Sequence, residues 1–155
     1  DAHVLLVRRY LDGFGPATRA EIANWAGLPV RSVAAALDRI DHVTYAAEDG
    51  STLVDLPDAP LPDPASPVPL RFLPTWDATL LVHARRARIL PESYRPKVFN
   101  TKTPHSVPTF LVDGSVAGTW RYEDGRVELT EFVPLSRRVR REAEQAADAL
   151  AAFHR

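Results

Sequence analysis

The sequence contains no cysteine and no methionine, and each absence excludes something different. Without cysteine there is no disulfide, no thiolate metal site and no cysteine nucleophile, which fits a reducing compartment. Without methionine even at position 1, we expect that Asp1 is not the natural start and that further residues lie upstream. No run approaches the roughly 20 apolar residues of a membrane-spanning helix, and no signal peptide opens the chain. These absences predict a cytoplasmic protein without membrane contact.

The patterns that carry metal or cofactor chemistry are also absent. No phosphate-binding glycine loop is present, and the histidines show no metal-ligand spacing at positions 3, 42, 83, 105 and 154. We therefore expect no metal and no cofactor. Asp77, beside Trp76, can be interpreted as an acid or base in a cleft, or as a helix-start carboxylate stabilised by the helix dipole. The second interpretation needs no partner elsewhere, so an enzyme built on Asp77 is the weakest hypothesis.

The net charge of −1 conceals an uneven distribution of charge. Residues 1–60 contain five arginines and nine acidic residues, whereas residues 71–102 contain seven basic and two acidic residues. The second segment is therefore either a phosphate-facing surface or an ordinary solvated face. Arginine outnumbers lysine by 17 to 2, which together with abundant alanine indicates a GC-rich genome and a bacterial-type protein.

A proline-rich stretch divides the chain. Residues 56–69 contain six prolines, which remove backbone donors and favour extended polyproline conformation. We therefore predict three parts, a first domain at residues 1–56, a linker at 57–69 and a second domain at 70–155.

The first domain has the signals of three helices. Residues 3–11 are apolar enough for a buried helix. Thr18 and Glu21 form a capping box that starts a second helix, and Gly27 ends it in a left-handed conformation. Pro29 suits the first turn of a third helix. Two helices joined by a tight glycine corner predict a helix-turn-helix.

A two-stranded hairpin is predicted directly after the third helix. Residues 42–47 and 51–56 alternate as strands around Asp49 and Gly50, a pair that favours a hairpin turn with positive φ. This hairpin is the wing of a winged helix-turn-helix.

The third helix of such a fold puts its first residues into the major groove, and the wing touches phosphate. Arg31, Ser32 and Arg39 are the helix candidates, because the inner face is occupied by Val30, Val33, Ala34, Leu37 and Ile40. Many winged helices instead bind protein, and this one carries nearby acidic residues at Glu21, Asp38 and Asp41. Both interpretations stay open at this point.

The second domain mixes strands and helices. We predict a short strand at residues 70–73, a helix capped near Thr75 that runs towards Arg86, and an exposed loop at residues 91–108. Two Asp-Gly pairs, at 113–114 and 124–125, divide residues 107–133 into a three-stranded antiparallel meander. Val116, Gly118, Trp120 and Tyr122 are predicted to share one face of its middle strand. The overall class is α+β, a winged helix-turn-helix followed by a small domain with this meander and a C-terminal helix.

The C-terminal helix is predicted at residues 136–154, with a buried stripe of Val139, Ala143, Ala146, Leu150 and Phe153. Four arginines crowd its start, where the positive end of the helix dipole disfavours cations. Arg138 with Glu142 and Arg140 with Glu144 are four residues apart, so internal ion pairs are one explanation. Contact with DNA phosphate is the other.

Three sequence stretches resemble a known family. They are RFLPTWD at residues 71–77 followed by Leu80 and Leu81, LVDGSVAGTWR at residues 111–121, and the WAGL corner at residues 25–28. Together they resemble the AlkZ/YcaQ-like family of winged-helix DNA glycosylases, over essentially the whole chain but only over the C-terminal part of that family. The resemblance implies tandem winged helices with a small β-barrel-like end. It also implies a concave basic surface on duplex DNA, in proteins that remove alkylated or crosslinked bases.

The family's catalytic signature is a Gln-x-Gln pair in its N-terminal region, which is thought to position the attacking water. This chain has one glutamine, Gln145, on the predicted terminal helix. No catalytic residue is therefore carried over. We expect the chain to bind DNA as part of a base-excision repair protein, without catalysis in isolation.

The expected partners are double-stranded DNA and an N-terminal domain of the same protein. The alternative is a winged-helix scaffold that docks on protein without DNA contact. The predicted DNA-binding residues are Arg31, Ser32, Arg39, Ser51, Arg95, Lys97, Lys102 and Arg121.

Overall fold

The computed structural model describes residues 2–83, 87–100, 102 and 105–154, which form a mixed α/β structure with antiparallel sheets and a C-terminal helix. These residues form two compact units. The first unit contains residues 2–64 together with Val82 and His83, and the second contains residues 65–81 and the described residues from 87 onward. In the described part of the chain, no helix combines the length and apolar character needed to cross a membrane.

The first unit begins with three helices, α1 (Ala2–Phe14), α2 (Arg19–Ala26) and α3 (Val30–Leu37). The capping box predicted for α2 is present, because the Glu21 amide donates to Thr18 Oγ1 at 3.1 Å and the Thr18 amide donates to Glu21 Oε2 at 2.9 Å. Gly27 ends α2 at φ +63°, as its position predicted. Helix α1 is longer than the predicted range, since it continues through Gly13 to Phe14.

The core of the first unit lies between these helices and the second strand of the hairpin that follows them. Its most buried members are Val7, Tyr10, Leu11, Ile22, Val33, Leu37 and Val54. The predicted inner face of α3 is wrong at Val30, the first residue of the helix, which is 50% exposed, whereas the buried residues begin at Val33. Ala36, which was not predicted as buried, is 3% exposed.

The hairpin of the first unit is formed by β1 (Val43–Ala46) and β2 (Thr52–Asp55). Its turn is closed by hydrogen bonds from the Ala47 amide to Ser51 O at 2.8 Å and from the Gly50 amide to Ala47 O at 3.0 Å. Gly50 alone takes a positive φ, +81°, so this Asp-Gly turn uses three loop residues rather than two. Paired amide–carbonyl bonds between Ala17 and Val54 attach the hairpin to the segment before α2.

In the second unit, short elements occupy the stretch before the main sheet. They are β3 (Arg71–Leu73), α4 (Ala78–Leu81), α5 (Arg95–Val98), β4 (Phe99–Asn100) and β5 (His105–Ser106).

Two predictions for this stretch are wrong. Helix α4 does not start at Thr75, because Trp76 is in a left-handed conformation at φ 59°, and Asp77 accepts the Thr79 amide at 2.8 Å instead. The predicted helix end at Arg86 lies outside the described residues. The loop predicted as exposed contains two buried residues, since Val98 is 1% exposed and Ser106 is 2% exposed.

The main sheet contains β6 (Thr109–Val112), β7 (Ser115–Glu123) and β8 (Arg126–Glu131), joined by two-residue turns. Asp113 and Asp124 both have positive φ, as does the glycine after each, which matches the geometry expected of tight Asp-Gly hairpins. Strand β3 pairs with the free side of β6, so the strand order is β3-β6-β7-β8. The sheet therefore has four strands, one more than the sequence predicted.

A bulge in β7 changes which side chains share a face. Phe110 pairs with Gly118 and Leu111 pairs with Val116, so Ala117 is an extra residue opposite β6. Adjacent residues of β6 point to opposite faces of the sheet, so their partners Val116 and Gly118 also lie on opposite faces. The prediction that Val116 and Gly118 share one face is therefore wrong. Val116 joins a core with Leu73, Leu90, Val98 and Leu111.

Helix α6 (Arg137–Phe153) ends the described chain, with Ser136 as its N-cap accepting the Val139 amide. Its buried stripe consists of Ala143, Ala147 and Ala151, and the helix packs against β8. The predicted stripe is correct at Ala143 and wrong at Phe153, which is 85% exposed. Ala143, Ala147 and Ala151 are spaced by four residues and lie on one face, and their small side chains let the helix approach the sheet closely. The larger Val139 and Leu150 are only partly buried.

Two glycines provide a matched test of the close approach between β7 and β8. A Cβ at Gly118 would overlap Thr130 O and lie 2.5 Å from Phe110 Cε1, whereas a Cβ at Gly13 in α1 meets no atom within 4 Å. We expect Gly118→Ala to lower the free energy of unfolding by about 2–3 kcal/mol through overpacking. Gly13→Ala should raise it by about 0.5–1 kcal/mol through helix propensity. Denaturant unfolding measures both, and an unchanged stability in Gly118→Ala would contradict the close approach of β7 to β8.

Candidate nucleic-acid interface

The start of α3 is the best-defined exposed cationic position in the first unit. The left-handed Gly27 and the bond from the Leu28 amide to Ala23 O at 3.0 Å form the corner between α2 and α3. Pro29 is the N-cap of α3 and has an extended conformation, and Arg31 in the first turn has an exposed side chain. Arg31 forms no ion pair with any other described residue. Its charge is therefore available to a ligand that approaches the first turn of the helix.

Ser32 and Val30 flank Arg31. The Ser32 side chain is half-buried, and its amide donates to Pro29 O at 2.9 Å. Val30 is half-exposed and adds an apolar group beside the arginine. The first turn of α3 thus presents a cation, a hydroxyl residue and a methyl-bearing surface at the positive end of a helix dipole.

Arg39 lies after the end of α3, in a setting of mixed charge. It lines an open groove of about 800 Å³ in the first unit. The charged residues that line the groove with it are Arg8, Arg9, Asp12, Asp41 and Asp58. Three arginines and three aspartates nearly cancel, so this groove does not form a strongly positive surface.

The hairpin tip carries negative charge. Glu48 and Asp49 are both exposed, and Asp49 Oδ1 accepts the Ser51 amide at 2.9 Å. Hydrogen bonds from the Ser51 side chain and from its amide hold the pKa of Asp49 below its usual value. Ser51 therefore stabilises an anion at the tip.

Three predicted residues of the second unit lie around α5. Arg95 Nε is 3.3 Å from Glu92 Oε1, so its charge is partly neutralised. Lys97 Nζ lies 5.5 Å from the centre of the Tyr94 ring and 4.7 Å from that of Phe132, in a cation–π arrangement. Lys102 has an exposed side chain, and its amide donates to Asn100 Oδ1 at 3.0 Å.

Arg121, on β7, is held by two carboxylates. Its guanidinium bonds Glu128 on β8 and lies 3.0 Å from Glu123 Oε2. The hydrogen bond to Glu128 raises the pKa of Arg121 most, and the negative charge of Glu123 raises it further. Arg121 thus belongs to an exposed ion cluster within the sheet.

Two of the arginines at the start of α6 also form ion pairs with carboxylates. Arg138 pairs with Glu142 at 3.5 Å, as its spacing predicted. Arg140 pairs with Glu131 of β8 at 2.9 Å instead of Glu144, so that prediction is wrong. The hydrogen bond from Arg140, and then that from the Leu135 amide, hold the pKa of Glu131 below its usual value. The packing of α6 against β8 brings the Glu131 carboxylate within hydrogen-bonding distance of Arg140.

The predicted residues are divided between the two units. Four of them lie in the first unit and four in the second, and Arg31 and Ser32 are neighbours in one helical turn. Asp77, the residue of the enzyme hypothesis, bonds the backbone at the start of α4. Among the residues described, no group of three carboxylate or imidazole side chains is placed to hold a metal ion.

Trp76 is the residue that sequence reasoning missed. Its side chain is 49% exposed, and it is the one aromatic residue in the described chain with a positive φ. The sequence offered no signal for this conformation, because Pro74 and Thr75 before it suit an ordinary helix start. A bulky residue in the left-handed region is strained and indicates a constraint beyond local preference.

A comparison with solved structures supports the fold. The DNA glycosylase AlkZ of Streptomyces sahachiroi superposes with a TM-score of 0.77 and 21% sequence identity, over 98% of this chain. The match covers 43% of that glycosylase, so this chain spans less than half of its length. A comparison with curated proteins gave no match.

The mixed α/β fold with antiparallel sheets and a C-terminal helix is thus shared with a DNA-repair glycosylase. The profile of the family described as "DNA glycosylase AlkZ-like" matches residues 1–153, and the chain belongs to this family. The family resemblance of the sequence motifs is therefore confirmed.

The Glu131–Arg140 pair predicts a pH dependence of stability. Because the folded pKa of Glu131 lies below its unfolded value, the unfolded chain binds more protons in that window, and stability falls as the pH is lowered. The pair's contribution should be full above the ordinary glutamate pKa of about 4.3 and lost as the pH falls through the lower folded pKa. We expect Glu131→Gln to lower the thermal midpoint at neutral pH and to reduce its decline in acid.

Glu142→Gln is the matched control, because it removes the longer and more exposed pair with Arg138. Its thermal midpoint should stay close to that of the wild type at every pH. Equal effects of the two substitutions would show that Glu131 does not anchor α6.

Proposed function

We propose that this chain is the DNA-binding portion of a base-excision repair protein of the DNA glycosylase type, with a winged helix-turn-helix at residues 1–56. In this proposal α2 and α3 are the helix-turn-helix, β1 and β2 are the wing, and residues 57–69 link it to a second domain at 70–155. The observation that carries it is Arg31, exposed on the first turn of α3 without an ion-pair partner among the described residues.

The proposed mode of contact follows from the chemistry of that first turn. An arginine there can donate two hydrogen bonds to a guanine edge in the major groove or pair with phosphate. Val30 supplies an apolar contact of the kind that a thymine methyl accepts, and Ser32 adds a hydroxyl. Arg39, which lies after the same helix, contributes mainly to the local potential because aspartates surround it.

The wing tip is proposed to stay away from phosphate. A phosphate beside it would meet Glu48 and Asp49, and Ser51 stabilises the charged form of Asp49. We therefore assign most of the phosphate attraction to arginines outside the wing and a minor role to Ser51.

The second domain is proposed to support binding through its exposed cations. Lys102 is the predicted contact best suited to this, since its side chain is exposed. Arg95, Lys97 and Arg121 already face carboxylates or aromatic rings, so a phosphate contact would require them to leave those partners.

Catalysis is proposed to require another part of the protein. Gln145, the one glutamine of the chain, is exposed on α6, and no Gln-x-Gln pair exists in the sequence. The proposed partners are double-stranded DNA and a further domain of the same protein.

A protein-docking function is the second candidate. It is favoured by Trp25 and Val30, which are 40% and 50% exposed, in a stretch where acidic residues outnumber arginines. An exposed apolar face with net negative charge suits a protein surface better than DNA.

Duplex binding by the 155-residue chain tests the first candidate. Because phosphate contacts release counterions, we expect the affinity for duplex DNA to fall steeply as salt rises. Arg31→Ala should weaken binding about tenfold, the loss expected for one base or phosphate contact. Arg121→Ala is the matched control, since its arginine is already held by Glu123 and Glu128, and its affinity should change by less than about twofold. Fluorescence anisotropy with a labelled duplex measures both variants.

No binding at low salt would overturn the DNA-binding proposal. DNA affinity equal to that of the wild type in an Arg31→Ala, Arg39→Ala double variant would show that α3 is not part of the DNA interface. Such a result would favour the docking function.

A base-release assay tests the proposed lack of catalysis in isolation. The chain should bind an alkylated duplex and yet release no base above the rate of the protein-free control, because it has no Gln-x-Gln pair. Chromatographic detection of the free base is the measurement. Release that disappears in Asp77→Asn would instead support the enzyme hypothesis.

A further inference from the structure

Trp76 is held in a conformation that its side chain disfavours. At φ 59° it occupies the left-handed region, which for a bulky residue is a genuine outlier. Asp113 and Asp124 also have positive φ, but they lie in tight hairpin turns that favour this conformation. Trp76 lies in a turn at residues 75–76 that belongs to no hairpin, and its positive φ is unusual there because the side chain is bulky.

The backbone on both sides of Trp76 maintains this conformation. Its amide donates to Ser106 Oγ at 2.7 Å, and Ser106 is 2% exposed in β5. The next residue, Asp77, accepts the Thr79 amide and fixes the start of α4. The backbone of Trp76 is therefore held by the bond of its own amide and by the bond that the following residue accepts.

The indole presents an open aromatic surface. Its ring centre lies 6.4 Å from that of Phe99, with 40° between the planes, and the side chain remains 49% exposed. Phe99 belongs to β4 and is half-buried against the core of the second unit. Phe99 thus packs beside the indole, and about half of the Trp76 surface remains exposed to solvent.

The sequence segment that contains Trp76 and Phe99 is rich in basic residues. Phe99 begins the β4–β5 hairpin, and Lys102 in its loop has an exposed side chain. Residues 71–102 carry seven basic and two acidic residues, and both acidic residues are engaged, Asp77 with the Thr79 amide and Glu92 with Arg95. The aromatic surface therefore belongs to a segment of the sequence in which basic residues outnumber acidic ones.

We propose that Trp76 is a stacking platform for an unpaired nucleobase, with Lys102 attracting the adjacent phosphate. An exposed aromatic group combined with basic residues of the same segment suits single-stranded nucleic acid, because every base has a π face and every phosphate is anionic. The inference rests on the proposed DNA-binding function and deepens it, since it adds a contact in the second unit that recognises a base outside the duplex.

The test uses the 155-residue chain and two DNA probes. One is a duplex with a single unpaired 2-aminopurine in a bulge, and the other is the same duplex fully paired. Wild-type protein should bind the bulged probe more tightly, and its binding should change the 2-aminopurine fluorescence through stacking. Trp76→Asn removes the ring and tolerates the left-handed conformation. It should bind the bulged probe about tenfold more weakly and the paired probe within about twofold of wild type.

Two further variants make the result specific. Trp76→Phe keeps an aromatic ring and should retain most of the preference for the bulged probe and the fluorescence change. Phe153→Ala removes an aromatic residue that is 85% exposed on α6 and should leave both affinities unchanged. Equal losses in Phe153→Ala and Trp76→Asn would overturn the proposal, because they would indicate general apolar adhesion.

Thermal unfolding separates stacking from a structural role. Because asparagine relieves the backbone strain, Trp76→Asn should unfold within a few degrees of the wild type. A large drop in its thermal midpoint, together with a Trp76→Phe variant that has lost the bulge preference, would overturn the proposal.

The two probes also distinguish this inference from the proposed function. Arg31→Ala should weaken binding to both probes equally and leave their ratio unchanged. Equal affinity of the wild type for bulged and paired DNA would overturn the Trp76 proposal alone. Absence of binding to either probe at low salt would overturn both proposals.

Discussion

The corner between α2 and α3 is the constraint on which the first unit depends. Thr18 and Glu21 exchange hydrogen bonds at the start of α2, and Gly27 ends that helix in a conformation that other residues adopt only with strain. With both ends fixed, the direction of α3 is determined, and so is the outward direction of its first turn. The candidate interface is therefore a consequence of one capped helix and one glycine.

Local signals were sufficient for much of the fold. The capping box, Gly27 and the two-residue turns at Asp113 and Asp124 act over a few residues, so the sequence contains the whole interaction. The errors arose where a distant partner decides the outcome. The bulge at Ala117 and the alanine stripe of α6 depend on which strand lies opposite, and periodicity in one segment does not contain that information.

The same distinction applies to the candidate site. Arg121 and Glu128 are direct cross-strand partners around a two-residue turn, so their pairing was readable from the hairpin register. The pairing of Arg140 with Glu131 and the placement of Lys97 over Phe132 require tertiary packing and were not readable. Trp76 combines both cases, because it lies in a local turn while its amide bonds Ser106, thirty residues away.

The two carboxylates at the hairpin tip give the first unit an electrical polarity. Under the proposed function, like charges keep that end away from the DNA. An encounter in which the hairpin leads is then disfavoured relative to one in which Arg31 leads. The acidic tip would in that case restrict the angles of productive approach, in a segment where acidic residues outnumber arginines.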